Sequence, residues 1–343
     1  MKILYAIQGT GNGHMSRAME IVPLLKKRAH TDVLISGIQT ELSLPFDVNY
    51  RLYGMGFVFG KKGGVDLIET YKKSRLINFK KEIRDLPVEK YDLVISDFEP
   101  VSCRAAKRLG IPVIGLSNQA AVLASGAPQA KNIDPVGRYI LKNYAPVDFS
   151  FGFHFQRYNK DIYTPIIRKQ IRTAEISNNG HFTVYLPAFD DERILRRLTA
   201  LKNAEWHVFS KHTKKTYQFN NVKVYPIQNE LFMESFLSCS GIITGAGFGT
   251  PGEALFLGKK LIVVPMKNQF EQQCNAIALK NMGVSVIGSL KKKHLPAIEN
   301  WMGEENKIAV NYPDETEKII DEIIKARQSR FLRPIQNQRN IAS

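Results

Sequence analysis

Two glycine-rich turns carry the side chains with chemistry to offer. The first is Gln8-Gly9-Thr10-Gly11-Asn12-Gly13-His14, near the start of the chain. An imidazole just past a glycine turn is placed to reach a substrate and to exchange a proton near neutral pH. Its partner is expected to be Asp97, the first acid beyond the apolar run Leu93-Val94-Ile95-Ser96. A carboxylate beside an imidazole fixes its tautomer and suits it to take a proton from a hydroxyl. The second turn is Gly245-Ala246-Gly247-Phe248-Gly249-Thr250, followed by Pro251 and Glu253. Bare N–H groups opening a helix carry partial positive charge and suit the oxygens of a diphosphate. Glu253, about one turn further on, is placed to accept both hydroxyls of a ribose. Beyond it, Asn268, Gln269, Glu271, Gln272, Gln273 and Asn275 supply groups that hydrogen-bond a sugar.

Each feature has a plainer reading. Glycines make tight strand-to-helix turns in many α/β folds. A helix-start histidine often bonds locally, and Asp97 is alternatively the cap of a helix over Ser102–Leu109. Asp190-Asp191-Glu192 suggests a metal, but acids opening a helix explain it as well.

The elements that must position these groups alternate regularly. Lys2–Ile7 reads as a strand and Met15–Arg28 as a helix, with Met15, Ala18, Met19, Val22 and Leu25 on one stripe. Ile111–Leu116 is a further strand, leading into Ser117-Asn118-Gln119 at the same sheet edge. Gly241–Thr244 and Leu261–Pro265 are buried strands around the second turn. A strand, a glycine turn and a helix also open nicotinamide-binding folds, but the spacing here is Gly-x-Gly-x-Gly. The second strand, Asp32–Gly37, also ends without the acid that would hold an adenosine ribose. No Gly-x-x-x-x-Gly-Lys-Ser/Thr loop occurs, so hydride transfer and Walker-type chemistry are set aside. Tyr71–Leu86 puts Leu76, Phe79, Ile83 and Leu86 on one helical face among lysines and arginines. This is a packed helix with a solvated face, or one that lies on an anionic membrane.

A chain of 343 residues suggests two domains of roughly 150 residues each. The three cysteines, Cys103, Cys239 and Cys274, are far apart and odd in number, which supports neither a disulfide framework nor a zinc site. With no signal segment and no long apolar run, a cytoplasmic setting is expected, with peripheral attachment to the inner face of a membrane as an option. The 48 basic and 32 acidic residues leave a net charge of +16, which favours polyanions without choosing among nucleic acid, anionic lipid and phosphorylated substrates.

The run Gly245-x-Gly-x-Gly-Thr250-x-x-Glu253, then Gly258, Pro265 and Glu271-Gln272-x-x-Asn275-Ala276, resembles the donor signature of two-domain, B-type glycosyltransferases. It is similar to the UDP-glycosyltransferases and to the N-acetylglucosaminyltransferase of lipid-linked peptidoglycan precursor. The opening glycine motif with its histidine, and an aspartate after the Tyr91–Ser96 strand, resemble those families too. The resemblance implies His14 as base with Asp97 orienting it. It also implies Glu253 on the ribose and Glu271 with Gln272 on the sugar. The turn Pro226-Ile227-Gln228-Asn229 would hold the nucleotide base. Two departures stand out. Many relatives have a histidine for the diphosphate where this chain has Gly245. A glycine–serine loop common among relatives is replaced by Pro187-Ala188-Phe189.

The expected fold is α/β, two doubly wound Rossmann-like domains facing across a cleft. The expected division is an acceptor domain at 1–165, a nucleotide-sugar domain at 166–325 and a basic tail at 326–343 that crosses back to the first domain. The expected function is inverting transfer from a nucleotide-diphosphate sugar, UDP-linked first, to a hydroxyl acceptor. A lipid or cell-envelope glycan is among the acceptor candidates. Donor contacts fall to Gly245, Gly247, Gly249, Thr250, Glu253, Glu271, Gln272 and Gln228. The acceptor-side loop is Gly11, Asn12, Gly13 and Asn118. The nucleotide sugar is a co-substrate, and neither a metal nor another cofactor is expected. A nucleotide-sugar epimerase of the same fold and a non-catalytic polyanion binder are the alternatives. The sugar-binding pair argues against nucleic acid as partner.

Overall fold

The computed structural model describes residues 1–37, 44–55, 59–60, 64–65, 76–130, 134–305 and 308–331. Two seven-stranded sheets dominate it. In spatial order the first runs Tyr50–Leu52, His30–Ser36, Lys2–Gln8, Leu93–Asp97, Val113–Ser117, Phe149–Phe153 and Ile162–Tyr163. All of its pairings are parallel. Strand order reverses between Lys2–Gln8 and Leu93–Asp97, where Ile7 lies opposite Asp97. The second sheet runs Tyr217–Phe219, Val222–Pro226, Trp206–Ser210, Phe182–Tyr185, Gly241–Gly245, Lys260–Val264 and Ser285–Val286. Only its first edge strand is antiparallel. Here the order reverses between Phe182–Tyr185 and Gly241–Gly245. Doubly wound sheets bind ligands in the crevice at such a reversal. Both glycine turns leave the strands at these points.

Parallel strands covered on both faces need apolar side chains on both sides of the backbone. In the first strand Ile3, Tyr5 and Ile7 pack against Met15, Ala18, Ile21 and Val22 of helix Asn12–Arg28. Leu4 and Ala6 pack on the opposite face against Val101, Ala105 and Ala106 of helix Pro100–Leu109. The second sheet repeats the plan. Val184, Val208, Ile243 and Ile262 face Ile194, Leu198 and Trp301. Ile242, Leu261 and Val263 face Leu255, Ala278 and Leu279.

The final helix, Thr316–Phe331, spans the 325/326 division and packs as one piece on the first sheet's helical layer. Ile319, Ile320, Ile323 and Ala326 join the core of Ile3 and Tyr5. Arg28 ties this helix down through Asp321 at 2.6 Å and Glu317 at 3.2 Å. The basic face read over Tyr71–Leu86 falls partly outside the described residues; the helix runs Leu76–Asp85, with Phe79 buried and Ile77 85% exposed. Among the described residues no helix is long and apolar enough to cross a membrane. The three cysteines are buried, with free thiols.

A histidine pair braces the second sheet at the start of strand Phe182–Tyr185. The rings of His181 and His207 stack with centroids 3.9 Å apart, and both reach Ser235 at 3.1 Å. Burial, then the neighbouring His207, pushes His181 down to about 4 from an ordinary 6.5. The unfolded chain therefore takes up this proton first. The stability contributed by neutral His181 is complete above about pH 6.5 and is lost as pH falls toward about 4. Urea melts between pH 7 and 4 should show falling stability, and His181→Gln should flatten that slope. Superimposable slopes would remove the pair as the cause.

Candidate active site

The first switch point assembles a buried charge network. Gly9 donates its N–H to Ser36 O at 2.6 Å, and a Cβ there would lie 2.9 Å from that same oxygen. The chain then turns into helix Asn12–Arg28 through Gly11 and Gly13, where a Cβ would meet nothing within 4 Å. His14 and Arg17 stand one turn apart on the helix face toward the sheet, and both reach Asp97. The imidazole Nδ1 lies 2.8 Å from Asp97 Oδ1. The Arg17 guanidinium donates Nε to Oδ2 at 2.9 Å and Nη2 to Oδ1 at 2.5 Å. Asp97 is 0% exposed and Arg17 6%. Burial pushes the Asp97 carboxyl upward, but Arg17 and His14 outweigh it and hold the acid below its ordinary value. Nδ1 also lies 3.1 Å from Arg17 Nη2; when Nδ1 donates its proton to the Asp97 carboxylate, Nε2 carries the lone pair.

Capping of the following helix falls to another residue. Glu99 accepts from the N–H groups of Val101 at 2.8 Å and Ser102 at 2.6 Å. That overturns the reading of Asp97 as a helix cap and frees its carboxylate for the histidine. Phe98, between the two acids, holds φ at +59°, a left-handed backbone that costs a non-glycine residue about 1–3 kcal/mol. Its ring packs on Tyr144 at 4.9 Å. Asn268 also sits in this region, at φ +55°. Phe98 and Asn268 line one cavity of about 320 Å³ together with His14, Gln119 and Glu271.

Glu271 comes from the second half and closes on the first. Its Oε1 accepts from Asn118 Nδ2 at 2.6 Å and its Oε2 from Gln119 Nε2 at 3.1 Å. Asn118 Oδ1 in turn accepts from Arg17 at 3.2 Å. Ser117 starts this short helix, accepting from Ala120 N at 3.2 Å, and so aims both amides across the seam.

A second cavity, of about 450 Å³, lies between the two glycine turns. Gly11, Asn12 and Gly13 line it from one side; Gly245, Gly247, Gly249, Thr250 and Gln272 line it from the other. Helix Gly249–Phe256 begins at its wall, with Pro251 in the first turn. Gln272 Oε1 accepts from Met266 N at 3.0 Å, and Asn275 holds the glycine loop through Ala246 O at 3.1 Å. Glu253 is 6% exposed and spends both oxygens on Arg168, at 2.6 and 2.8 Å. Gln228 is exposed and starts helix Asn229–Ser238, while its neighbour Ile227 lines the cavity. Asp190 caps helix Asp191–Leu198, and Asp191 accepts from Ser210 Oγ.

A family model described as glycosyl transferase family 1 matches residues 1–302. The chain belongs to that family. An uncharacterized glycosyltransferase of Methanosarcina mazei is 24% identical over 323 residues, covering 82% of this chain and 84% of its own. Among solved structures, Arabidopsis thaliana UGT89C1 complexed with UDP aligns with a TM-score of 0.63 at 12% identity, over 95% of this chain and 99% of that one. Acinetobacter baumannii MurG aligns at 0.57 and 16% identity, over 94% and 99%. These likenesses show the two-domain glycosyltransferase fold expected from the sequence. Glycosyl transfer is the activity class.

Three members of this glycosyltransferase's site were not singled out by sequence. Arg17 carried a signal, since it lies three residues after His14, on the same helical face. Lys211 lines the 450 Å³ cavity from the second half and had no local signal. Arg168 had no local signal either, and only the fold brings it to Glu253. Removing Arg17 leaves a buried carboxylate short of its main partner. Arg17→Met should lower stability by about 3 kcal/mol in urea melts, and adding Asp97→Asn should recover most of the loss. An unchanged midpoint for Arg17→Met would show that the pair is not what holds Asp97 in place.

Proposed function

We propose that this glycosyltransferase moves a sugar, with inversion, from a nucleotide diphosphate to a hydroxyl acceptor, UDP being the first candidate. The observation that carries the reading is one seam shared by two switch points. His14 on Asp97 stands on one side, and the glycine loop with Glu271 on the other. A Cβ on Gly247 or Gly249 would meet nothing within 4 Å, and neither has positive φ. Packing within the chain does not demand glycine there, whereas a phosphate approaching the backbone does. Lys211 lines the same cavity as Pro187, Ala188 and Phe189 and supplies a cation there.

In this reading the acceptor hydroxyl gives its proton to His14 Nε2 as its oxygen attacks the anomeric carbon. The bond from that carbon to the diphosphate breaks, and its electron pair leaves with the phosphate oxygen. Amides of Gly245–Thr250, the Thr250 hydroxyl and Lys211 meet the charge that develops. Glu271 and Gln272 fix the sugar. Glu253, with one bond from Arg168 on each oxygen, takes the ribose hydroxyls on its remaining lone pairs, and the turn at Ile227-Gln228 takes the base. Calorimetric titration with UDP should give a Kd on the order of 1 μM to 1 mM. Glu253→Gln should weaken binding about tenfold or more. His14→Ala should keep UDP binding while losing roughly 10²–10⁴-fold in transfer. No binding of UDP, GDP, dTDP or CDP would sink the reading. Interconversion of a UDP-sugar with no acceptor present would point to epimerisation instead.

An amphipathic acceptor met at an anionic surface fits the exposed apolar residues on the first half. Val136, 54% exposed, lines the His14 cavity, and Tyr139 on the same helix is 70% exposed. Ile77 stands among exposed Lys80, Lys81 and Arg84. Apolar side chains ringed by cations suit anionic headgroups. The protein should float with phosphatidylglycerol vesicles and be released by salt, and should leave phosphatidylcholine vesicles alone. Equal behaviour toward both vesicle types would remove the membrane from this proposal.

A further inference from the structure

Gln119 is 6% exposed and its amide nitrogen touches both sides of the reaction site. Nε2 lies 3.1 Å from Glu271 Oε2 and 3.4 Å from His14 Nε2. A carboxylate only accepts, so the amide nitrogen must face Glu271. That leaves Gln119 Oε1 buried and without a partner among the described residues. The two contacts are unequal. A bond to a charged oxygen is about twice as strong as a neutral one, and the contact to the imidazole is also the longer. Glu271 therefore decides where Gln119 sits, and the approach to His14 follows from it.

We infer that Gln119 is a positioning residue that couples occupancy of Glu271 by the donor sugar to the availability of His14. The inference rests on the transferase reading given above. Both Glu271 oxygens are held by Asn118 and Gln119. One proton of the Gln119 amide is directed at His14 Nε2, whose lone pair is then engaged rather than open to an acceptor hydroxyl. Sugar hydroxyls arriving at Glu271 compete for the same two oxygens. Gln119 then loses its anchor and its amide leaves Nε2, whose lone pair opens to the acceptor hydroxyl. The base is unmasked only when a sugar is present to be attacked. A nucleotide diphosphate without sugar fills the 450 Å³ cavity but leaves Gln119 in place.

The test follows the Nε2 nitrogen resonance of His14 in full-length protein labelled at histidine, assigned by its loss in His14→Gln. Glu271→Gln should displace this resonance in the otherwise native protein. It should not displace it in a Gln119→Met background, because the link is gone. Gln119→Asn, one methylene too short to span both partners, should act like Gln119→Met and serves if that variant does not fold. UDP-glucose should displace the resonance in the same direction as Glu271→Gln, and UDP alone should not. Equal displacement by Glu271→Gln with and without Gln119, or none in either, overturns the coupling. So does UDP-glucose that binds by calorimetry without moving the resonance. Calorimetry on the same samples separates this failure from that of the transferase reading. If no nucleotide binds, the reading itself falls and the coupling loses its function with it.

Discussion

A carboxylate with no exposure to water, at the end of a central parallel strand, sets the terms for the first half of this molecule. Taking Asp97 out of water costs several kcal/mol unless its oxygens are matched by charge and hydrogen bonds. Arg17 matches both oxygens and His14 matches one of them. Both partners come from a single turn of helix Asn12–Arg28, so that helix must start immediately after the first strand and run close to the sheet. The glycine turn makes this possible, since a side chain on Gly9 would collide with the backbone of the neighbouring strand. The guanidinium also stacks over Phe153 at 5.4 Å, which fixes it against the strand on the far side. Packing and chemistry are therefore satisfied by the same geometry.

The two halves are joined by contacts of different character. Apolar ones surround the connection: Phe155 meets Phe248 at 5.1 Å, and a Cβ on Gly252 would lie 3.2 Å from Pro165. Gly252 thus lets the helix behind the glycine loop come against the crossover segment. Polar ones lie nearer the cavities, with Asn118 and Gln119 on Glu271 across the seam. The last helix adds its isoleucines to the first core, so the chain crosses between halves twice.

Residues at strand ends were legible in the sequence. His14, Asp97 and the Gly245–Thr250 loop follow apolar runs that can only be buried strands, and a doubly wound sheet brings such ends together. The family likeness adds the two-domain frame, which the structure confirms. What stayed hidden is pairing across sequence distance. No local pattern links Arg168 to Glu253, 85 residues on, or Gln119 to Glu271, 152 residues on. Arg17 was hidden differently: the helix's apolar stripe draws attention to Met15 and Ala18, and a buried arginine between them breaks the binary pattern for the sake of Asp97. Asp97 and Glu99 were harder to separate, because both are buried acids at the start of one helix. Only the hydrogen bonds of Val101 and Ser102 assign the cap to Glu99.

The choice of amides at the seam has its own physical logic. Arg17 stands between two acids: its charge is held by contact with Asp97 and is also felt by Glu271. With Arg17 committed to Asp97, Glu271 finds direct partners only in neutral Asn118 and Gln119 among the described residues. A lysine or arginine in their place would form an ion pair that sugar hydroxyls displace poorly, because breaking it would leave a charge unpaired at a half-buried site. Neutral amides satisfy the carboxylate while it waits and exchange readily for other neutral donors. Hydroxyls are such donors. In the proposed transfer, hydrogen bonds of equal kind at Glu271 serve an incoming sugar better than a stronger bond that it would have to break.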